Sequence, residues 1–459
     1  VPKLVRFLAL FGWMLFATAA PALAQGASPA PPGIEGLLPA ALTLLLPLGL
    51  LLLISSAMPE RKAPTIAISL LLVWGVAVLV YFGVGFAFQF GGIAQASPNP
   101  ALAGLYWEWY PVDPSVEMEV ARLWGVVALQ GWALSGEAIT PTVLLLFLGH
   151  AALVGVAAMI PAGVLLERGR TAIAMVMAVA MGAIIYPVAG NWVWGGGWLS
   201  YLGLSLQLGR GFIDFGGAGP VFLLGAMVAL VALWQLRASS SLSSEIAPPA
   251  NLSPDEAALF NSPPMPSAHL PILSMLGGGL FLLGWLGSLS TGGHAPLAVN
   301  FSPVHAAVAG LLAAFGGALA AAGYSWFTTR AANPLMTTRG LVAGLGVVLA
   351  GAPFLPLGVA AGAGLAMGLL LPALIYFVDH KLPLRDSLGT VATFGVSGLL
   401  GLLLASLVAD GASAPGQWQA QLAGLGAIAL WGVVSGGLLL FLLAAIARRL
   451  SGPADSPPD

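Results

Sequence analysis

The sequence predicts an all-α polytopic membrane protein of eleven transmembrane helices. Three observations carry that reading. Only 7% of the 459 residues are charged, against about 25% in soluble domains. Hydrophobic residues make up 59%, and the mean hydropathy is +0.96. The apolar residues gather in runs of roughly 18 or more, long enough to cross a bilayer as helices, without the two-residue alternation of an outer-membrane barrel. A soluble fold of this composition has too little charge to cover its exterior, which excludes a soluble enzyme, a nucleic-acid binder and a disordered chain. The net charge of −2 carries no message about partners. With no cysteine in the chain, disulfides, thiolate metal sites and cysteine catalysis are excluded.

Taken in order, the chain opens with Lys3 and Arg6, an apolar run from Phe7 to Ala20, and Ala22-Leu23-Ala24. This predicts a signal peptide over 1–24, cut before Gln25; the alternative is an uncleaved first helix. Residues 25–459 then form one transmembrane domain. Its spans are predicted at 37–57, 65–88, 142–166, 171–190, 218–236, 270–289, 303–326, 338–353, 357–378, 388–408 and 422–446. With the mature N-terminus outside, the cytoplasmic segments hold Arg61, Lys62, Arg168, Arg170, Arg237, Arg330, Arg339, Lys381, Arg385, Arg448 and Arg449. Only Arg122 and Arg210 lie outside, in loops that also carry the acidic Glu108, Asp113, Glu117, Glu119 and Glu137. The positive-inside rule therefore places the chain in a bacterial inner membrane with its C-terminus in the cytoplasm. The longest cytoplasmic loop, 237–269, is rich in Ser, Pro and Ala and divides spans 1–5 (about 37–236) from spans 6–11 (about 270–446). Five spans per half is an odd number, so the halves are inverted, 5+5 with a last helix added, and the site is expected near the midplane between them.

Two blocks stand out chemically. The first is Tyr186-Pro187-Val188-Ala189-Gly190-Asn191-Trp192-Val193-Trp194-Gly195-Gly196-Gly197-Trp198. It reads as a helix end opening into an irregular outer mouth. Its tryptophans are either interfacial belt residues, the favoured reading, or a cation–π surface for a small cation. The second runs from Ile213 to Phe222. In it, Asp214 either caps the amide groups that start span five or holds cations near the pore mouth. His150, His294 and His305 fall toward the outer side, where they would cluster in a vestibule, stand in for other histidines or bind a metal; scattered single histidines are more often solvated or satisfied. Asp379, Lys381, Arg385 and Asp386 read as a solvated cytoplasmic group whose surface pairs are worth little. No phosphate-cradling loop, His-Glu-x-x-His or Ser/His/Asp arrangement is present. No enzyme, metal site, cofactor or nucleic-acid partner is expected.

Trp192-Val193-Trp194-Gly195-Gly196-Gly197 and Asp214-Phe215-Gly216-Gly217, in this order, resemble the Amt/Mep/Rh ammonium transporters. Leu166-Glu167-Arg168, Gly284-Trp285-Leu286-Gly287, Val299-Asn300 and Phe394-Gly395-Val396-Ser397-Gly398 add to the resemblance, which runs from the first span to the eleventh. It implies a homotrimer with a narrow apolar pore in each protomer, an outer aromatic site that recruits ammonium, a Phe gate and twin pore histidines. Trp194 matches the recruiting Trp, Phe147 the outer gate Phe, and Asp214 the family Asp. The departures are as informative. The two pore histidines fall on Phe222 and Ser397, the second gate Phe on Ala151, and the site serine near Gly292, with Ser288, Ser290 and Thr291 close by.

Without imidazoles the pore loses its proton relay, and the Ser397 hydroxyl is expected to bond a carbonyl of its own helix. Phe222 adds bulk that would plug the lumen. The expected function is passive movement of ammonia or another small neutral solute. The alternatives are a non-conducting ammonium sensor or scaffold acting through a cytoplasmic regulatory protein, and a carbon dioxide channel.

Overall fold

The computed structural model describes residues 34–97, 99–111, 123–136, 138–236, 267–290, 302–382, 384–408 and 414–450. The expected signal peptide, residues 112–122 of the acidic outer loop, residues 237–266, Gly292 and His294 lie outside the described residues.

Nine described helices are long and apolar enough to cross a membrane. They are α1 (Gly36–Ser56), α2 (Ala63–Gln95), α3 (Pro141–Glu167), α4 (Thr171–Gly195), α5 (Ala218–Leu236), α6 (His269–Leu289), α7 (Pro303–Thr329), α9 (Leu357–Lys381) and α11 (Gln417–Arg449). Two shorter helices, α8 (Pro334–Gly346) and α10 (Val391–Leu407), bring the segments to the eleven expected. α3 and α5 are the most buried, and α9 and α11 present most of their surface to the outside. A bundle with an apolar exterior of this kind has lipid as its solvent, so helix contact rests on close packing rather than on hydrophobic exclusion. α1 against α6 illustrates this. A Cβ added at Gly49 would lie 2.6 Å from the Gly277 carbonyl, and one at Gly277 would lie 2.7 Å from the Gly49 carbonyl. Only hydrogen at both positions lets these backbones meet.

Three helix starts share one local device. Thr140 Oγ1, Ser302 Oγ and Asn333 Oδ1 accept the amides of Val143, His305 and Met336, at 3.3, 3.2 and 2.9 Å. Each is followed by a proline, whose missing N–H is harmless in a first turn. The third of these pairs moves α8. Its start lies before the expected 338, because Asn333-Pro334 nucleates there, and the helix stops at Gly346 rather than at 353. Turns over 347–355 follow, and there Ala350 O and Leu349 O accept the amides of Phe215 and Gly216, each at 3.0 Å. A second correction concerns α4, expected to end at 190. It continues through a π-helical turn, Asn191–Gly195, and stops at Gly196, whose φ of +95° suits glycine. α2 also runs past 88, ending in the 3-10 turn Ile93–Gln95, and holds a π-helical turn within it at Tyr81–Gly85. Between α2 and α3, β1 (Glu108–Trp109) pairs antiparallel with β2 (Val127–Ala128), Glu108 facing Ala128.

Candidate functional site

α5 and α10 enter the bundle five spans apart in sequence, hence from opposite faces, and they begin alike. Each opens on a six-residue π-helical turn, Ala218–Leu223 and Val391–Val396. Each is preceded by a buried Asp that accepts amides of that first turn. Asp214 Oδ1 accepts Gly217 N at 2.8 Å and Ala218 N at 2.9 Å, and Oδ2 accepts Gly219 N at 2.6 Å. Burial pushes this carboxyl up to about 6, against the pull of the three N–H donors. Asp386 Oδ2 accepts Val391 N at 2.7 Å.

Asp386 is a correction to the solvated loop expected around it, since it is 1% exposed. Burial raises its carboxyl, and the backbone donors of Val391 and Thr390 pull it back. The reason lies in its neighbours. α8 presents the buried Arg339, which donates to Ser387 O at 2.7 Å. Ser387 in turn donates to Glu167 Oε1, and Arg168 donates to Leu384 O at 3.0 Å. Buried charges persist only when bonded in this way.

Where α5, α6, α8 and α10 meet, the side chains are almost wholly apolar. Phe222 is fully buried. Its ring centroid lies 5.1 Å from Phe394, 5.8 Å from Trp285 and 6.2 Å from Phe281. A Cβ on Gly346 would stand 2.7 Å from the Phe222 ring and 2.5 Å from Ser397 Oγ. Ser397 donates to Thr393 O at 2.6 Å, so its hydroxyl is spent within its own helix. Trp285 Nε1 is buried with no partner among the described residues. Beside Phe394 lies a cavity of about 20 Å³ lined by Arg339, Thr390 and Thr393 among apolar residues. That is room for about one water, and the buried Thr393 hydroxyl also has no partner among the described residues.

Of the remaining site residues, Trp194 and His150 are more deeply buried than expected. Trp194 is 1% exposed, neither a belt residue nor an open surface. It lies on the added π-turn of α4, donates to Asp214 O at 2.8 Å, and meets the His150 ring at 5.3 Å. His150 is fully buried rather than in a vestibule. Tyr81 donates to Gln89 Oε1 at 2.9 Å, which turns the Gln89 amide toward His150 Nδ1 at 3.2 Å. The Tyr186 hydroxyl is 2.8 Å from the same nitrogen. With Gln89 donating, Nδ1 is the acceptor, and this network assigns the ring proton to Nε2. Phe147 stacks on Tyr81 at 5.8 Å and packs on Phe82 and Phe86 of α2. Ala151 is buried, and its carbonyl accepts Trp74 Nε1 at 3.2 Å. His305 bonds Leu355 O at 2.8 Å, away from His150 in the hydrogen-bond pattern. Among the described residues, no three His, Asp or Glu side chains group as a metal site.

Sequence reading missed Phe281, Trp285, Phe394, Arg339 and Gln89 as members of these clusters. Trp285 and Phe394 stood inside the quoted motifs, but only as labels. Arg339 was one charge in a count. The family model described as the Ammonium Transporter Family matches residues 37–456. The chain belongs to this family. Ammonium transporter Amt2 of Archaeoglobus fulgidus is 26% identical over 345 residues, covering 74% of this chain and 63% of its own length. Ammonium transporter Amt1 of Methanocaldococcus jannaschii is 30% identical over 287 residues, covering 61% and 65%. The chain thus spans somewhat under two thirds of these relatives. Among solved structures, one titled Sensor Amt Protein superposes with a TM-score of 0.66 at 21% identity, covering 90% of this chain and 93% of its own. Candida albicans Mep2 gives 0.63 at 20%, covering 89% and 85%. At such identity these likenesses establish the ammonium-transporter fold.

Proposed function

We propose that this family member moves ammonia as a neutral solute, passively, between α5 and α10, and that Phe222 is its barrier. The observation that carries the reading is the cluster of Phe222, Phe281, Trp285 and Phe394 at the point where the two Asp-capped helices meet. Nothing in that cluster can accept a proton. The polar atom of these four side chains is the Trp285 N–H, a donor without a partner among the described residues. Ammonia has a lone pair to offer it; ammonium has none. A dry apolar constriction also opposes any ion. Trp194, Phe147 and Ala151 belong to the outer approach in this reading, with Asp214 holding the first turn of α5. The protein acts as a homotrimer in a bacterial inner membrane, its C-terminus cytoplasmic, consistent with the charge bias of its loops.

The test is ammonia permeability of proteoliposomes by stopped flow. Phe222→Ala is expected to raise it several-fold over wild type, and Trp285→Phe to lower it. No rise in a well-folded Phe222→Ala protein contradicts the barrier. A second reading is favoured by the complete burial of Phe222: a non-conducting sensor or scaffold with a cytoplasmic partner. Wild-type vesicles no more permeable than empty ones would favour it.

A further inference from the structure

The strand pair between α2 and α3 holds a buried acid that has no part in the α5–α10 path. Glu108 is 7% exposed. Its carboxylate lies against Gly92, where a Cβ would overlap Oε2, and against Gly125, where a Cβ would stand 2.8 Å from Oε1. Asn191, fully buried in the last turn of α4, donates through Nδ2 to Glu108 Oε2 at 3.3 Å and to Gln89 O at 3.1 Å. A Cβ on Gly197 would stand 2.6 Å from Asn191 Oδ1. Three glycines thus clear the space for one acid and one amide.

Both outer ends of this pair are unmet. Glu108 Oε1 and Asn191 Oδ1 are buried without a partner among the described residues. With the acid ionised, both atoms are acceptors and neither can satisfy the other. A neutral carboxylic acid complements a primary amide: one acid oxygen accepts the amide N–H, and the acid O–H donates to the amide oxygen. We propose that Glu108 and Asn191 form a proton-binding site outside the transport path, with the proton on Oε1 donated to Asn191 Oδ1. Releasing that proton to the outer solution leaves a carboxylate with a single N–H donor, and the strand pair loosens from α4.

Among the described residues, the groups facing Glu108 are Gly92 from α2, Gly125 and Ala128 from the second strand and its lead-in, and Asn191 from α4. None of them titrates. Burial pushes the carboxyl up to about 8, with the Asn191 bond pulling it down. Asn191 also holds the Gln89 carbonyl, and the Gln89 side chain holds His150, whose ring meets Trp194. Proton loss is therefore transmitted to the aromatic end of α4. The site does not depend on whether the protein conducts.

The test is pH-difference infrared spectroscopy on the full-length protein in nanodiscs. The expected result is a protonated-carboxyl carbonyl band that disappears as pH rises through about 8 and is absent from Glu108→Gln. Gln can form the same two bonds, so that variant is expected to fold. A wild-type difference spectrum identical to that of Glu108→Gln overturns the proposal. Tryptophan emission of the wild type decides independently of the variant. A midpoint near about 8 supports the site, and a titration confined to the ordinary carboxylate range overturns it.

Discussion

Phe222 is the side chain on which the transport reading turns. Its position was legible from the sequence, eight residues after Asp214, and so was its chemistry. What was not legible was its company. Phe281 and Trp285 lie one helical turn apart on α6 and read as ordinary apolar positions until α5 and α10 close on them. The double variant Phe222→His, Ser397→His puts imidazoles where the ring and the spent hydroxyl now stand. It is expected to raise methylammonium uptake by vesicles above wild type, and no gain in a folded protein counts against Phe222 as the obstacle. Asp214 was legible as a helix cap because an acid shortly before an apolar run matches unpaired amides. Asp214→Ala leaves three amides without an acceptor. The expected loss is about 1–2 kcal/mol, read as a lower Tm in detergent.

Glu108 makes a further prediction through linkage. Burial pushes its folded carboxyl up to about 8 from the ordinary 4.5. Between those values the folded protein holds a proton that the unfolded chain does not, so stability falls as pH rises across that window and levels off beyond it. Subtracting the Tm of Glu108→Gln from that of wild type at each pH isolates this contribution. A difference that stays flat across the window contradicts a buried neutral acid.

The starts of α3 and α7 fall within one residue of expectation, whereas the start of α8 and the end of α4 do not. Asn333-Pro334 carried the start of α8 in plain sight, yet the apolar count began only at 338. The end of α4 was hidden for another reason. Asn191–Gly195 keeps the helix going with one residue more per turn, a geometry with no sequence period to reveal it. That extra turn buries Trp194 and delivers Asn191 to Glu108. Packing between helices gives two predictions. Gly49→Leu is expected to abolish the stable α1–α6 contact, because its side chain would occupy the place of the α6 backbone; recovery of monodisperse protein by size exclusion checks it. Arg339→Met leaves Asp386 and the Ser387 carbonyl in a buried site with their cation removed. A loss of about 3–5 kcal/mol is expected, and an unchanged Tm would mean that this charge group is solvated after all.

For the molecule as a whole, composition fixed the solvent, loop charge the expected orientation, and span parity the meeting of α5 with α10 from opposite faces. Those properties sum over many residues, so they survive errors at any one boundary. The proposed path depends on a handful of side chains drawn from four helices distant in sequence, and no pattern along the chain brings them together. The central claim is that whatever crosses between α5 and α10 crosses uncharged. It is tested most directly by recording ammonia flux by stopped flow and current on a solid-supported membrane from the same wild-type proteoliposomes. Flux above empty vesicles without current is the predicted result. A current that grows with an ammonium jump would contradict it, since neither Phe222 nor Ser397 could then be the end of the charge pathway.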